Sequence, residues 1–358
     1  MKAAVCRHFA QPLAIEDVSI GAPGAGEVKV RVVACAICQS DIHFIDGAWN
    51  STLPAVCGHE ASGVVEAIGP GVSSVAEGDH VVITLIRSCG RCHHCLAGMR
   101  PLCEGAFPPG DEKISDTKGA AIFQGLRTAA FAEYVVVDAS QVVAIPPEVP
   151  LDSAALIACG VVTGVGAVSR NASVEEGDSA VIIGTGGVGI NSVQGARLEK
   201  AHPIIAVDIN ERKLQAALDF GADHAIDPKK TDVREAVLSL TAGRGADHVF
   251  ISVGSAEAVE LGLGLLRRGG ALIIAGMPPS GVRAGFDLTD FVDSGRRIIG
   301  SKMGSTHPQR DIPELVSLYL EGRLMLDELI SGRYPLDRIN EAIDSSKGGD
   351  ALRNIIVF

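Results

Sequence analysis

The chain has 358 residues, 47% of them hydrophobic and 21% charged, with a formal net charge of −12 and nine cysteines. Its length predicts about two domains, and its apolar fraction excludes extended disorder. Dispersed acidic charge excludes nucleic acid as a partner, and the want of any apolar run of about 18–20 residues excludes a membrane partner. An odd cysteine count and a start, MKAAVCRHFAQPL, without the segments of a signal peptide predict a reducing, cytoplasmic setting.

Residues 1–150 alternate the short β-rich runs EVKVRVVACAIC, ASGVVEAIGPGV, DHVVITLI and FAEYVVVDASQVVAIP with Pro-Gly, Gly-Pro and Glu-Gly-Asp turns. This pattern predicts an antiparallel, barrel-like β domain. Residues 104–125 are polar and carry Pro and Gly, which predicts a long surface excursion outside the core. From about Ser179, strand-like SAVIIG, PIIAVDI, DHVFIS and ALIIAG alternate with helical stretches such as ERKLQAALDFG and VREAVLSLT. That series predicts βαβ units and a parallel sheet. After about Gly300 come an amphipathic helix at IPELVSLYLEGRL, a second around RINEAIDSSKGG, and strand-like RNIIVF, whose apolar end is expected to rejoin the first domain.

Four cysteines, Cys89, Cys92, Cys95 and Cys103, stand as C-x2-C-x2-C-x7-C. Four thiolates close a tetrahedral shell, so this set reads as a structural zinc site with no open position; redox thiols are the alternative. Cys38, His59 and Cys159 lie far apart in the chain. Taken singly, each is more readily a buried structural residue. Beside the nucleotide fingerprint that follows them in the chain, the trio is expected to act together: two thiolates and an imidazole would leave a fourth tetrahedral position on zinc for water or an alcohol.

In VIIGTGGVGIN, Gly184, Gly186 and Gly189 form G-x-G-x-x-G between a strand and a helix, with Asp208 ending the next strand about twenty residues on. Gly184 permits the turn, Gly186 admits a pyrophosphate to the backbone, and Gly189 lets helix and strand pack, with Gly187 and Val188 completing the loop. Asp208 is expected to accept from the adenosine ribose hydroxyls and to repel a 2′-phosphate, which favours NAD over NADP. Lys213, in VDINERK, is expected to reach the same ribose.

CQSDIH (38–43), GHEASGVVEAIGPGV (58–72), the cysteine ladder, ACGVVTGVGA (158–167), GTGGVG (184–189) and the ending LRNIIVF together resemble the zinc-dependent medium-chain alcohol dehydrogenase family, in its longer-loop branch, over essentially the whole chain. The resemblance implies an α/β protein. A GroES-like β-barrel catalytic domain would span residues 1–160 and 303–358, and a Rossmann domain with a doubly wound parallel sheet residues 161–302. It implies two zinc ions per chain, with Cys38, His59 and Cys159 on the catalytic one, Asp41 orienting His59 and Glu60 behind the metal. Ser40 would touch the substrate oxygen, His43 would end a proton relay, and Arg353 would pair with the NAD pyrophosphate. Trp49 and Leu85 match pocket-lining positions, implying aliphatic or aryl alcohols and aldehydes; core packing is the other reading of Trp49. Phe107 stands where the branch acting on glutathione-bound formaldehyde carries an arginine, which argues against that substrate.

The implied activity is reversible oxidation of a primary, secondary or aryl alcohol. Zinc favours the alkoxide, whose carbon releases hydride to NAD. A specialised aldehyde reductase, or an enzyme with permanently bound NAD, shares the same ligands. A non-catalytic nucleotide-binding protein would use the zincs only as structure. The branch implies a homodimer or homotetramer.

Overall fold

The computed structural model describes residues 1–49, 51–105 and 112–358, and it divides into two units, Met1–Cys159 with His307–Phe358, and Gly160–Thr306. In the first unit the ten-residue strand Glu27–Ala36 is central. Its β-branched residues alternate with polar ones, and Val28, Val30 and Val32 turn inward to the core. It pairs antiparallel with Glu60–Ile68, Tyr134–Asp138 and Arg353–Val357 in a mixed sheet that also holds Val142–Ala144, His80–Ile83 and Ile330–Pro335. A second sheet joins Ala14–Asp17, Lys2–Cys6, Ala55–Val56, Ala121–Gln124, Ile114–Ser115 and Ser19–Ile20.

Register positions the chemistry. Ala36 pairs with Glu60 on one side and with Ile355 on the other. The end of this strand therefore gathers Cys38, His59, Glu60 and Arg353, although they are remote in sequence. The C-terminal strand thus rejoins the first unit, as its apolar run suggests.

The excursion expected over 104–125 is corrected in its described second half. Ile114 and Ile122 are fully buried and face each other across an antiparallel pair. Two isolated isoleucines in a Gly-rich polar stretch give too short a period to register as strands, yet tertiary pairing buries them.

The second unit is built on a parallel six-stranded sheet in the order His224–Ile226, Ile204–Val207, Ala180–Ile183, Ala246–Ile251, Leu266–Ile274 and Arg297–Gly300. The central strands are buried along their whole length, which is why they read as continuous apolar runs. Helices Gly189–Leu198, Glu211–Asp219, Val233–Leu240 and Ala256–Leu265 alternate with them. Among the described residues no single helix is long and apolar enough to cross a membrane.

Candidate active site

The backbone leaves the strand Glu27–Ala36 and turns at Cys38 into the helix Gln39–Ile45. Asp41, fully buried, accepts with Oδ2 from the Cys38 backbone N–H at 3.2 Å. Its Oδ1 accepts from the Gly58 N–H at 2.8 Å and lies 3.0 Å from His59 Nδ1. One carboxylate thereby ties Cys38 to His59. With Nδ1 donating to Asp41, the lone pair of the neutral ring falls on Nε2. Gly58 makes this bend possible: its φ is +92°, and a Cβ there would meet the Phe131 backbone nitrogen at 2.5 Å.

One ligand atom each from Cys38, His59, Glu60 and Cys159 lies within 4.8 Å of the others. His59 Nε2 and Glu60 Oε1 are buried with no hydrogen-bond partner. Two thiols, an imidazole and a spare carboxylate oxygen suit a divalent ion of zinc's softness, and such a cation would satisfy the orphaned nitrogen. A hydrogen bond from Cys159 holds the Cys38 thiol well below its usual range, while the same bond and burial push Cys159 well above it. Burial opposes a charged His59, yet the Asp41 carboxylate and the Cys38 sulfur pull the imidazole well above its ordinary value.

Arg353, expected at the NAD pyrophosphate, is placed beside the ligand cluster. Its guanidinium is only 4% exposed, paired with Glu60 and 3.4 Å from the Ile37 carbonyl. A guanidinium with so little contact with water takes the buried carboxylate as its first partner, so a phosphate contact would be additional to this pair. Burial still pushes the Glu60 carboxyl up to about 8 against the pull of Arg353.

Ser40 and His43 are both partly buried and lie three residues apart on one helix, hence on neighbouring positions of one face. The His43 ring is 5.5 Å from that of Trp49, which is partly exposed and lies outside the core cluster. Leu85 is partly buried beyond the strand His80–Ile83. Phe107 lies outside the described residues.

The second cysteine set is a separate loop. Cys89, Cys92, Cys95 and Cys103 place their sulfurs within 4.8 Å of one another, and all nine cysteines are free thiols. Backbone N–H groups of Cys89 and Gly105 each point to Cys103 Sγ at 3.2 Å. Backbone N–H groups of Cys95 and Glu104 hold the Cys92 thiol down at about 6, which favours the thiolate that a metal needs.

In the second unit the glycine loop fits a dinucleotide. A Cβ on Gly189 would stand 1.8 Å from the Gly184 carbonyl, whereas the space beside Gly186 is open. Gly187 and Val188 accept from Asn191 Nδ2 and the Ser192 N–H, which seats the loop on the helix Gly189–Leu198. Asp208 Oδ2 accepts from the Thr185 N–H at 2.8 Å, and Oδ1 from the Asn210 N–H at 2.9 Å. Lys213 is partly buried in the first turn of Glu211–Asp219 and accepts with its carbonyl from Thr185 Oγ1 at 3.3 Å. Thr185, and Ser252, whose hydroxyl donates to the Gly184 carbonyl, escape sequence reasoning, because nothing in spacing marks a hydroxyl that serves the loop.

The chain matches the family model described as "Alcohol dehydrogenase GroES-like domain" over residues 24–147 and that described as "Zinc-binding dehydrogenase" over residues 187–321. It is 35% identical to an S-(hydroxymethyl)glutathione dehydrogenase of Paracoccus denitrificans, covering 100% of this chain and 99% of the relative. Among solved structures it is similar to an alcohol dehydrogenase zinc-binding domain protein from Burkholderia ambifaria, at TM-score 0.96 and 37% identity, covering 100% of this chain and 98% of that one. It is also similar to the benzyl alcohol dehydrogenase of Acinetobacter calcoaceticus, at TM-score 0.93 and 34% identity, covering 100% and 99%. The two-unit fold, the two ligand clusters, the glycine loop and these likenesses agree: the chain belongs to the zinc-dependent medium-chain alcohol dehydrogenase family, an oxidoreductase whose cofactors are zinc and NAD(H).

Proposed function

We propose that this enzyme oxidises primary, secondary or aryl alcohols reversibly to aldehydes or ketones, with NAD rather than NADP. The observation that carries the reading is the ligand cluster: donor atoms of Cys38, His59, Glu60 and Cys159 lie within 4.8 Å of one another, with His59 Nε2 buried and making no hydrogen bond. When bound, zinc supplies Lewis acidity toward the alcohol oxygen and the nicotinamide accepts hydride. Cys38, His59 and Cys159 would hold the metal, Asp41 keeps His59 in the tautomer that presents Nε2, and Glu60 stands behind, paired with Arg353. Ser40 accepts the hydroxyl proton while donating its own toward the cofactor ribose, and His43, on the same helix face and partly exposed, passes it to solvent. Trp49 and Leu85 receive the carbon end of the substrate. Cys89, Cys92, Cys95 and Cys103 would hold a second zinc that organises their loop. Gly184, Gly186, Gly187, Val188 and Gly189 seat the pyrophosphate, and Asp208 with Lys213 takes the ribose, where a carboxylate disfavours a 2′-phosphate.

Free cysteines throughout the chain support a reducing, cytoplasmic setting. A homodimer or homotetramer is supported by the edge strand Arg297–Gly300, which among the described residues pairs only with Leu266–Ile274. Exposed Ile298 lies on it, and Leu288 and Val292 are exposed on the helix Leu288–Ser294 that precedes it.

NADH formation is measured across aliphatic, aryl and polyol alcohols and S-(hydroxymethyl)glutathione, with and without chelator, alongside zinc per chain and mass in solution. Chelator-sensitive turnover of apolar alcohols with about two zincs is expected. Turnover confined to the glutathione adduct would transfer the substrate assignment to the activity named for the Paracoccus relative. Absence of turnover with NAD that does not exchange would favour permanently bound cofactor.

A further inference from the structure

The segment that delivers Cys159 is a helix Leu151–Ala155 running into a tight turn, Leu156–Ala158, after which Cys159 adopts φ −142° and ψ −65° before the helix Gly160–Gly166 begins. A chain break of this kind leaves carbonyls without helical partners. Two buried hydroxyls bond to carbonyls of the segment, one at each end. Ser62 Oγ, on Glu60–Ile68, donates to the Leu151 carbonyl at the start of the segment. Thr84 Oγ1 donates to the Ala158 carbonyl at its end, at 2.7 Å. Thr84 directly follows the strand His80–Ile83, which pairs with Glu60–Ile68 through Ala61 and Ile83, one residue from Glu60 and from Thr84.

Thr84 is itself fixed. It is fully buried, its N–H donates to the Gln141 carbonyl at 3.0 Å, and its carbonyl accepts from Gln141 Nε2 at 2.9 Å. Gln141 Nε2 also reaches the Arg127 carbonyl at 3.0 Å and is 1% exposed. Because a peptide unit is planar, holding the Ala158 oxygen fixes where the Cys159 nitrogen and Cα lie.

We propose that Thr84 is a positioning residue for the Cys159 thiolate, clamping the ligand-bearing turn to the end of the strand His80–Ile83, which pairs with the strand that begins at Glu60. The proposal rests on the reading of Cys159 as a zinc ligand. It is tested with Thr84→Val, which keeps the shape and removes the hydroxyl, Thr84→Ser, which restores it, and Thr84→Ala, which relieves any crowding by the valine methyl. The readouts are zinc per chain, the rate of zinc loss to a chelator, and the thiolate charge-transfer band of the cobalt-substituted protein. Cys159→Ser identifies which zinc and which band belong to this site.

Expected for Thr84→Val and Thr84→Ala is about 10- to 100-fold weaker retention of that zinc, a shifted cobalt band and a lower kcat with little change in KM for NAD, while the four-cysteine zinc is retained as before. Thr84→Ser recovers all of these. Wild-type zinc loss and an unshifted band in Thr84→Val or Thr84→Ala overturn the proposal. If Cys159→Ser keeps both zincs, the ligand reading itself falls, whatever the Thr84 variants do.

Discussion

Asp41 serves two chain segments at once, since its two oxygens hold the Cys38 backbone and the Gly58–His59 turn. Asp41→Asn removes the negative charge that raises His59 and replaces one acceptor by a donor. We expect about 10- to 100-fold loss of zinc affinity or activity, read by competition with a chelator. Arg353 and Glu60 form the other buried pair. Arg353→Ala removes the guanidinium that pulls the buried Glu60 carboxyl down, so denaturant unfolding should show a loss of stability that is larger above about pH 8, where Glu60 ionises, than near neutrality. Asp41 is legible from its place in CQSDIH, but the Glu60–Arg353 pair is not, because the two residues lie 293 positions apart and only strand register joins them.

Among elements, the parallel sheet of the second unit carries a polar link at its N-terminal edge. Asp247 Oδ2 accepts from the Ser179 N–H at 2.9 Å and hydroxyl at 2.6 Å, and Arg267 donates to Oδ1. Burial pushes this carboxyl up, but the Ser179 and Arg267 hydrogen bonds prevail and hold it at about 2, below its ordinary 3.8. A depressed folded-state value means that the stabilisation is complete above the unfolded value and is lost as pH falls from about 4 toward 2. Asp247→Asn should therefore be less stable than wild type near neutrality, with the difference shrinking over that acid window in urea titrations. The βαβ series is readable because buried parallel strands are long apolar runs; the strands Ile114–Ser115 and Ala121–Gln124 are too short to show a period and form only through pairing.

At the scale of the molecule, two clusters of similar chemistry are expected to have unlike consequences. Cys159→Ser should lose about one zinc per chain and all turnover with little change in melting temperature. Cys103→Ser should also lose about one zinc, but with a fall in thermal stability that precedes any fall in kcat. Metal analysis beside calorimetry separates the two. The four-cysteine ladder, the glycine loop with Asp208 and the alternation of β-rich and βαβ halves are determined by the sequence alone, because each depends on spacing within one local stretch or on a repeated apolar period. The convergence of Cys38, His59, Glu60 and Cys159, the clamp of Thr84 on Ala158 and the burial of Arg353 are decided only by tertiary structure. They depend on which strands pair and in what register, and pairing energy comes from contacts between residues that no local pattern connects.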